Sequence, residues 1–278
     1  MRIYVSVDME GLAGVAHAHQ VTFGPATDRT DYDRSRGLMA GETNAAVTAA
    51  FDAGADDVVV NDSPWMMRNL RAEDLDPRAR LIIGDKPLSM TQGIDDGRFD
   101  GAAFIGYHAG AGHATGVIAH TYSSVSIMEL RVNGVPHNEA AVNAIRLAHH
   151  GVPVILVAGD DALAGEGEAR MPWAERVVVK RAHGYSAADT LAPEVARAAI
   201  REGMTRAIER IGEMRRYEPA GPLAGEVDFR LPVMADFAAV MPGVERIGGR
   251  TVAFAAPDGE QLYRTFLAVP RLAAAATV

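Results

Sequence analysis

The 278-residue sequence predicts an α/β fold: a three-layer α/β/α arrangement around a mostly parallel sheet, with a smaller α+β C-terminal part. Three observations lead there. Short apolar runs such as Ile3-Tyr4-Val5-Ser6-Val7, Val58-Val59-Val60 and Val154-Ile155-Leu156-Val157 lack polar alternation, as strands covered on both faces do. Helical patterns separate them as far as about residue 214, which is the rhythm of strand–crossover–strand units. The last sixty or so residues break that rhythm after Pro219, Gly221 and Pro222, with short strand-like stretches in succession. The division expected is 1–216 for the main domain and 217–278 for the smaller part.

The first strand, ending Val7-Asp8-Met9-Glu10-Gly11, organises the rest. If the backbone stays extended through Met9, Asp8 and Glu10 point to one side, and Gly11 frees the chain to turn. A polar stretch over 12–29 with His17 and His19 is long enough to be a loop over a site. Thr30 or Asp31 can cap a helix over about 32–53, whose apolar residues include Leu38, Met39, Ala46, Val47 and Phe51, and Gly54 ends it. A second strand over 57–61 leads into Asp62-Ser63-Pro64-Trp65. A third follows at 80–84, then a short helical turn at 89–93, and a fourth strand over 102–108 ends in His108. After a Gly-rich loop, residues 126–132 form a strand and Asn133-Gly134 a tight turn. Helices are expected at 138–149, 162–169 and 190–214, with strands at 153–160 and 176–179. In the last part, 226–231, 244–247 and 251–255 are strand-like and 258–274 helical.

Composition narrows the function. Hydrophobic residues at 48% and charged residues at 23% describe an ordinary globular chain. A net charge of −9 argues against nucleic acid as partner, and no apolar run is long enough to span a membrane. The opening Met1-Arg2 runs straight into a strand without a signal-peptide pattern, so the expected compartment is the cytoplasm. With no cysteine, any metal must be held by His, Asp or Glu.

Two carboxylates at the end of a buried strand lie where open α/β sheets bind ligands. Unpaired they would repel each other, and a cation between them removes that penalty. Asp8 and Glu10 therefore read as half of a metal site. Asp62 and His108 end two further strands, and Glu139 opens a helix behind the hairpin, so polar residues converge on one sheet edge.

The segments 6–11 (Ser-Val-Asp-Met-Glu-Gly), 60–63 (Val-Asn-Asp-Ser), 106–109 (Gly-Tyr-His-Ala), 116–120 (Gly-Val-Ile-Ala-His) and 133–139 (Asn-Gly-Val-Pro-His-Asn-Glu) resemble the zinc-dependent D-aminopeptidases, also called the dipeptide transport protein A family. The resemblance is in register to about Asp161 and looser through Met241-Pro242-Gly243 to the end. It implies a metallo-aminopeptidase acting on short peptides with N-terminal D-residues and assembled as a homodecameric ring. It also implies zinc, one or two ions, held by Asp8, Glu10, His108 and Glu139, with Asp8 bridging and His120 as the catalytic histidine.

One position departs. The family's motif after the second strand is Asn-Asp-Ser-His, its His a zinc ligand, and this chain has Pro64 there. Asp62, His113, His137, His17 and His19 are the possible replacements. The change keeps other readings open: a different metal hydrolase, such as a phosphoesterase or lactonase, or a decayed dipeptide-binding protein. Of the weaker signals, Lys86 and Lys180 are the chain's only lysines, and Lys86 reads as a surface residue or as one reaching a substrate carboxylate. Trp65, Met66 and Met67 read first as core packing and second as pocket lining.

Overall fold

A computed structural model describes residues 1–24 and 29–276. In chain order the elements of the first half are β1 (Arg2–Val7), α1 (Arg29–Asp52), β2 (Asp57–Asp62), β3 (Arg80–Ile82), β4 (Gly101–Tyr107), β5 (Ile127–Val132), β6 (Val135–Pro136) and α2 (Glu139–His149). They continue with β7 (Val154–Asp160), α3 (Asp161–Arg170), β8 (Glu175–Gly184), β9 (Ala187–Thr190), α4 (Pro193–Glu209), β10 (Leu223–Phe229), α5 (Pro232–Ala238), β11 (Val244–Arg246), β12 (Thr251–Ala256) and α6 (Gly259–Ala273).

The larger sheet has seven strands in the order β3-β2-β1-β4-β7-β8-β9, all parallel except the antiparallel edge strand β9. Strand order reverses between β1 and β4, the switch point at which such sheets open a crevice for ligands. Asp8 follows one of these strands and His108 the other. Ile3, Val5 and Val7 pack against α1 and α4 on one face, while Tyr4 joins Phe104, Ala140 and Leu163 on the other. Hence β1 is apolar without alternation. The expected three layers and parallel sheet are present.

The second sheet is antiparallel, in the order β11-β12-β10-β5-β6. It takes β5 and β6 from the middle of the chain, so the smaller part is not made from 217–278 alone. A hairpin with a tight Asn133-Gly134 turn, both residues at positive φ, delivers these strands. Helix α2 lies between the two sheets. Ala140, Ala144 and Leu147 contribute to the first core and Val142 and Ile145 to the second. Buried through residues 139–148, it has no solvent face and fixes Glu139 relative to both sheets.

Local differences have local causes. Helix α1 is already formed at Arg29, so Thr30 and Asp31 lie within its first turn and do not precede it. Thr190, expected to open a helix over 190–214, ends β9 and pairs with β8 instead, and α4 starts at Pro193, whose fixed φ suits a first helical turn. The short helix α5 opens on Pro232 in the same way and was not expected.

Candidate metal centre

Gly11 is required for close approach and not for a turn. A Cβ there would lie 1.7 Å from the Tyr107 carbonyl oxygen. The bare backbone lets Gly11 N–H donate to Gly106 O at 2.7 Å, as Asp8 N–H does to Ile105 O at 2.8 Å. These two bonds draw the end of β1 onto the end of β4 and bring Asp8, Glu10 and His108 together.

A ligand atom from each of these three residues lies within 4.8 Å of the others, and the same holds for His108, His120 and Glu139. His108 donates from Nδ1 to Ala109 O at 2.9 Å, which leaves Nε2 with its lone pair free. That nitrogen faces Asp8 Oδ2 at 3.4 Å and Glu139 Oε1 at 3.7 Å. Both Asp8 Oδ2 and His108 Nε2 are buried without a hydrogen-bond partner. Acceptors facing acceptors in a dry site call for a cation or a proton between them. Burial raises the Asp8 carboxyl well above its usual range, and Glu10's charge adds to the rise. Burial opposes charge on His108, yet Glu139, Asp8 and Glu10 outweigh it and lift the imidazole to about 10. The site thus attracts a positive charge, and carboxylates with imidazole suit zinc or manganese.

His120 is oriented in the same way, with Nδ1 donating to Ile118 O at 2.8 Å. Its ring stacks on His108 at 4.2 Å, and its Nε2 lies 3.9 Å from Glu139 Oε1. Ile118 has φ +49°, an outlier for a β-branched residue, so this carbonyl is aimed at the expense of backbone comfort. Glu139 is fixed from two sides. Asn138 caps α2, and Tyr122 N–H donates to Glu139 Oε1 at 2.6 Å.

The five predicted site residues therefore meet. None of the possible replacements for the missing histidine joins them. Asp62 accepts from Leu70 N–H and the Asn69 side chain. His113 accepts from Thr115 and Gly116 N–H, His137 bonds Val135 O and Tyr217, and His17 and His19 pack against each other. Pro64 itself lines a cavity of about 160 Å³ with Asp8, Glu10, His120 and Glu139.

The chain matches the D-aminopeptidase family over residues 1–268. It belongs to that family. A D-aminopeptidase of Bacillus subtilis (strain 168) is 36% identical over 275 residues, 98% of either chain. A solved Bacillus subtilis structure, described as a zinc-dependent D-aminopeptidase and self-compartmentalizing protease, superposes with a TM-score of 0.93 at 35% identity over the whole of both chains. The family expected from the motifs is the family found.

Sequence reasoning missed the residues that hold this D-aminopeptidase fold's site loops. Lys86 is not at the surface. It is buried, and its Nζ donates to Asp62 O. Lys180 is buried too and donates to the carbonyls of Glu10, Leu12 and Val15. Burial lowers both amines to about 8. Two lysines against 25 arginines was the available signal. A compact ammonium can donate to three converging carbonyls where a planar guanidinium cannot. Trp65, expected first in the core, is 55% exposed and lines the site cavity with Met67.

Proposed function

We propose that this chain is a metal-dependent aminopeptidase that hydrolyses short peptides with N-terminal D-residues. Zinc is its metal, held by Asp8, Glu10, His108 and Glu139. The observation that carries this is the pair of buried, unpartnered atoms, Asp8 Oδ2 and His108 Nε2, facing each other beside Glu139 in a family of D-aminopeptidases. A histidine that donates its other nitrogen to a backbone carbonyl is the usual arrangement of a metal ligand.

Bound zinc supplies Lewis acidity, making water nucleophilic at neutral pH and polarising a carbonyl oxygen. The chain's own groups do the rest. His120, held through Nδ1 by Ile118 O, presents its Nε2 to the cavity. It can take a proton from the attacking water and return it to the leaving amine. Tyr122 N–H keeps Glu139 from rotating away. The cavity of about 160 Å³ limits what enters to a small terminal residue.

With Pro64 in place of a histidine, the set holds one ion tightly and a second weakly or not at all. The same reading makes the protein a cytoplasmic homo-oligomer, a decameric ring. The support for the oligomer is the self-compartmentalizing relative, matched over the whole of both chains. Metal-loaded protein should release D-alanine from D-Ala-D-Ala, lose that turnover to a chelator and regain it with zinc. Turnover of aryl phosphates without peptide turnover would overturn the reading.

A further inference from the structure

A larger cavity, about 590 Å³, adjoins the cavity of the metal centre. The two share Trp65, Met67, Ser89 and Tyr122 as walls. All four have left-handed backbones, with φ of +38°, +52°, +46° and +56°. Such residues each cost ~1–3 kcal/mol and persist where the surrounding structure holds them, often at ligand sites. Among the described residues, five of the six non-glycine residues with positive φ belong to this junction or to Ile118, which aims His120. The junction is therefore a wall common to both cavities, held in a shape that costs backbone strain.

The larger cavity differs from the smaller one in charge. Met234, Phe266 and Leu267 give it apolar walls, and among the described residues Arg230 and Arg271 are its only charged lining residues. Among the described residues neither arginine forms an ion pair. Arg271 makes one long bond, 3.4 Å to Pro87 O, and the Arg230 side chain makes none. In a chain of net charge −9 this is a cationic chamber beside an anionic one. A short peptide is a zwitterion with its charges at opposite ends, and the adjoining cavities offer the opposite sign at each.

We propose that the larger cavity receives the leaving side of the peptide and that Arg230, assisted by Arg271, binds its terminal carboxylate. The substrates are then short peptides with a free C-terminus, not amides, esters or internal segments of long chains. This assignment rests on the aminopeptidase reading of the adjoining site.

The test uses metal-loaded protein and calorimetry with two non-cleavable ligands: D-Ala-D-Ala with its peptide bond reduced to CH2–NH, and the C-terminal amide of the same compound. The acid should bind ~10–100-fold more tightly than the amide, the range for a charge-assisted contact. Arg230→Gln with Arg271→Gln should bring the ratio to within about threefold, by weakening the acid far more than the amide. Equal binding of acid and amide by the unmodified protein, no binding of either, or a preference that survives both substitutions would overturn the proposal. Turnover of D-Ala-D-Ala is measured alongside. An acid preference without turnover defeats the aminopeptidase reading but keeps the carboxylate site. Turnover without the preference defeats the carboxylate site alone.

Discussion

His108 and His120 stack 4.2 Å apart and each fixes its tautomer on a backbone carbonyl, yet their surroundings differ. The His108 side chain is 1% exposed between Asp8 and Glu139, while that of His120 is 15% exposed at the cavity wall. His108→Ala should therefore lose bound zinc after dialysis. His120→Ala should keep it and lose ~10²–10³ in kcat. Metal analysis beside kinetics separates the two, and loss of metal in both would make His120 a ligand. Pro64 is the second residue to test. Its ring lines the site cavity, and among the described residues no other histidine stands where the resemblance leads one to expect a ligand. Pro64→His should raise zinc from about one ion per chain towards two, as a nitrogen donor completes a four-ligand set. Two equally tight ions in the unmodified protein would refute the premise. The convergence of Asp8, Glu10 and His108 was legible in the sequence because strand ends of one parallel sheet share an edge, whereas Glu139 arrives on α2 from behind the hairpin of the second sheet. That Asp62 turns away was not legible, because its partners Asn69 and Leu70 follow a turn whose left-handed residues, Trp65 and Met67, do not advertise such a conformation.

Strand β8 contributes to the site at a distance. Its Lys180 reaches three carbonyls of the segment after β1, one of them that of Glu10. Lys180→Met keeps the apolar stem and removes the donors. It should lower zinc affinity at least ~10-fold and destabilise the protein by ~2–4 kcal/mol, since three buried carbonyls lose one charged partner. Isothermal zinc titration and urea unfolding read the two effects. Zinc affinity unchanged in a folded variant would mean the lysine supports the fold only. Strands and helices with a strong apolar signal, such as β1, β4, β7, α2 and α6, fall where periodicity puts them. The misplaced pieces are short and polar. β9 reads Ala-Ala-Asp-Thr and exists only because the edge of β8 needs a partner, which no local pattern reports. The membership of β5 and β6 in the second sheet was hidden for a similar reason, as pairing with β10 spans about ninety residues.

An ion pair adds to the apolar packing of α2 that ties the two sheets. Arg146 of α2, fully buried, donates from Nε to Glu260 of α6 at 2.7 Å and from Nη1 to Thr91 O at 2.6 Å. Partial burial opposes charge on Glu260, but Arg146, His150 and Arg264 hold its carboxyl down at about 2. A lowered carboxylate contributes stability above its unfolded value near 4.5 and loses it as pH falls towards 2. Glu260→Gln should thus cost ~3 kcal/mol at pH 7, with the difference shrinking below pH 4.5, in thermal unfolding across that range. A pH-independent difference would mean that packing and not charge joins the sheets. Beyond the single chain, the smaller sheet's side carries exposed apolar residues: Phe237 on α5 at 41%, Val240 just after it at 71% and Ile247 beyond β11 at 56%. Where such side chains form one contiguous patch, it marks a surface that is covered in assemblies. They belong to the part of the chain that adds nothing to the ligand set, so an assembly built through them leaves the metal centre's own residues in place. Phe237→Asp with Val240→Asp should lower the mass seen by light scattering while circular dichroism and zinc content stay the same. An unchanged mass would mean that no assembly of this chain is built through this surface.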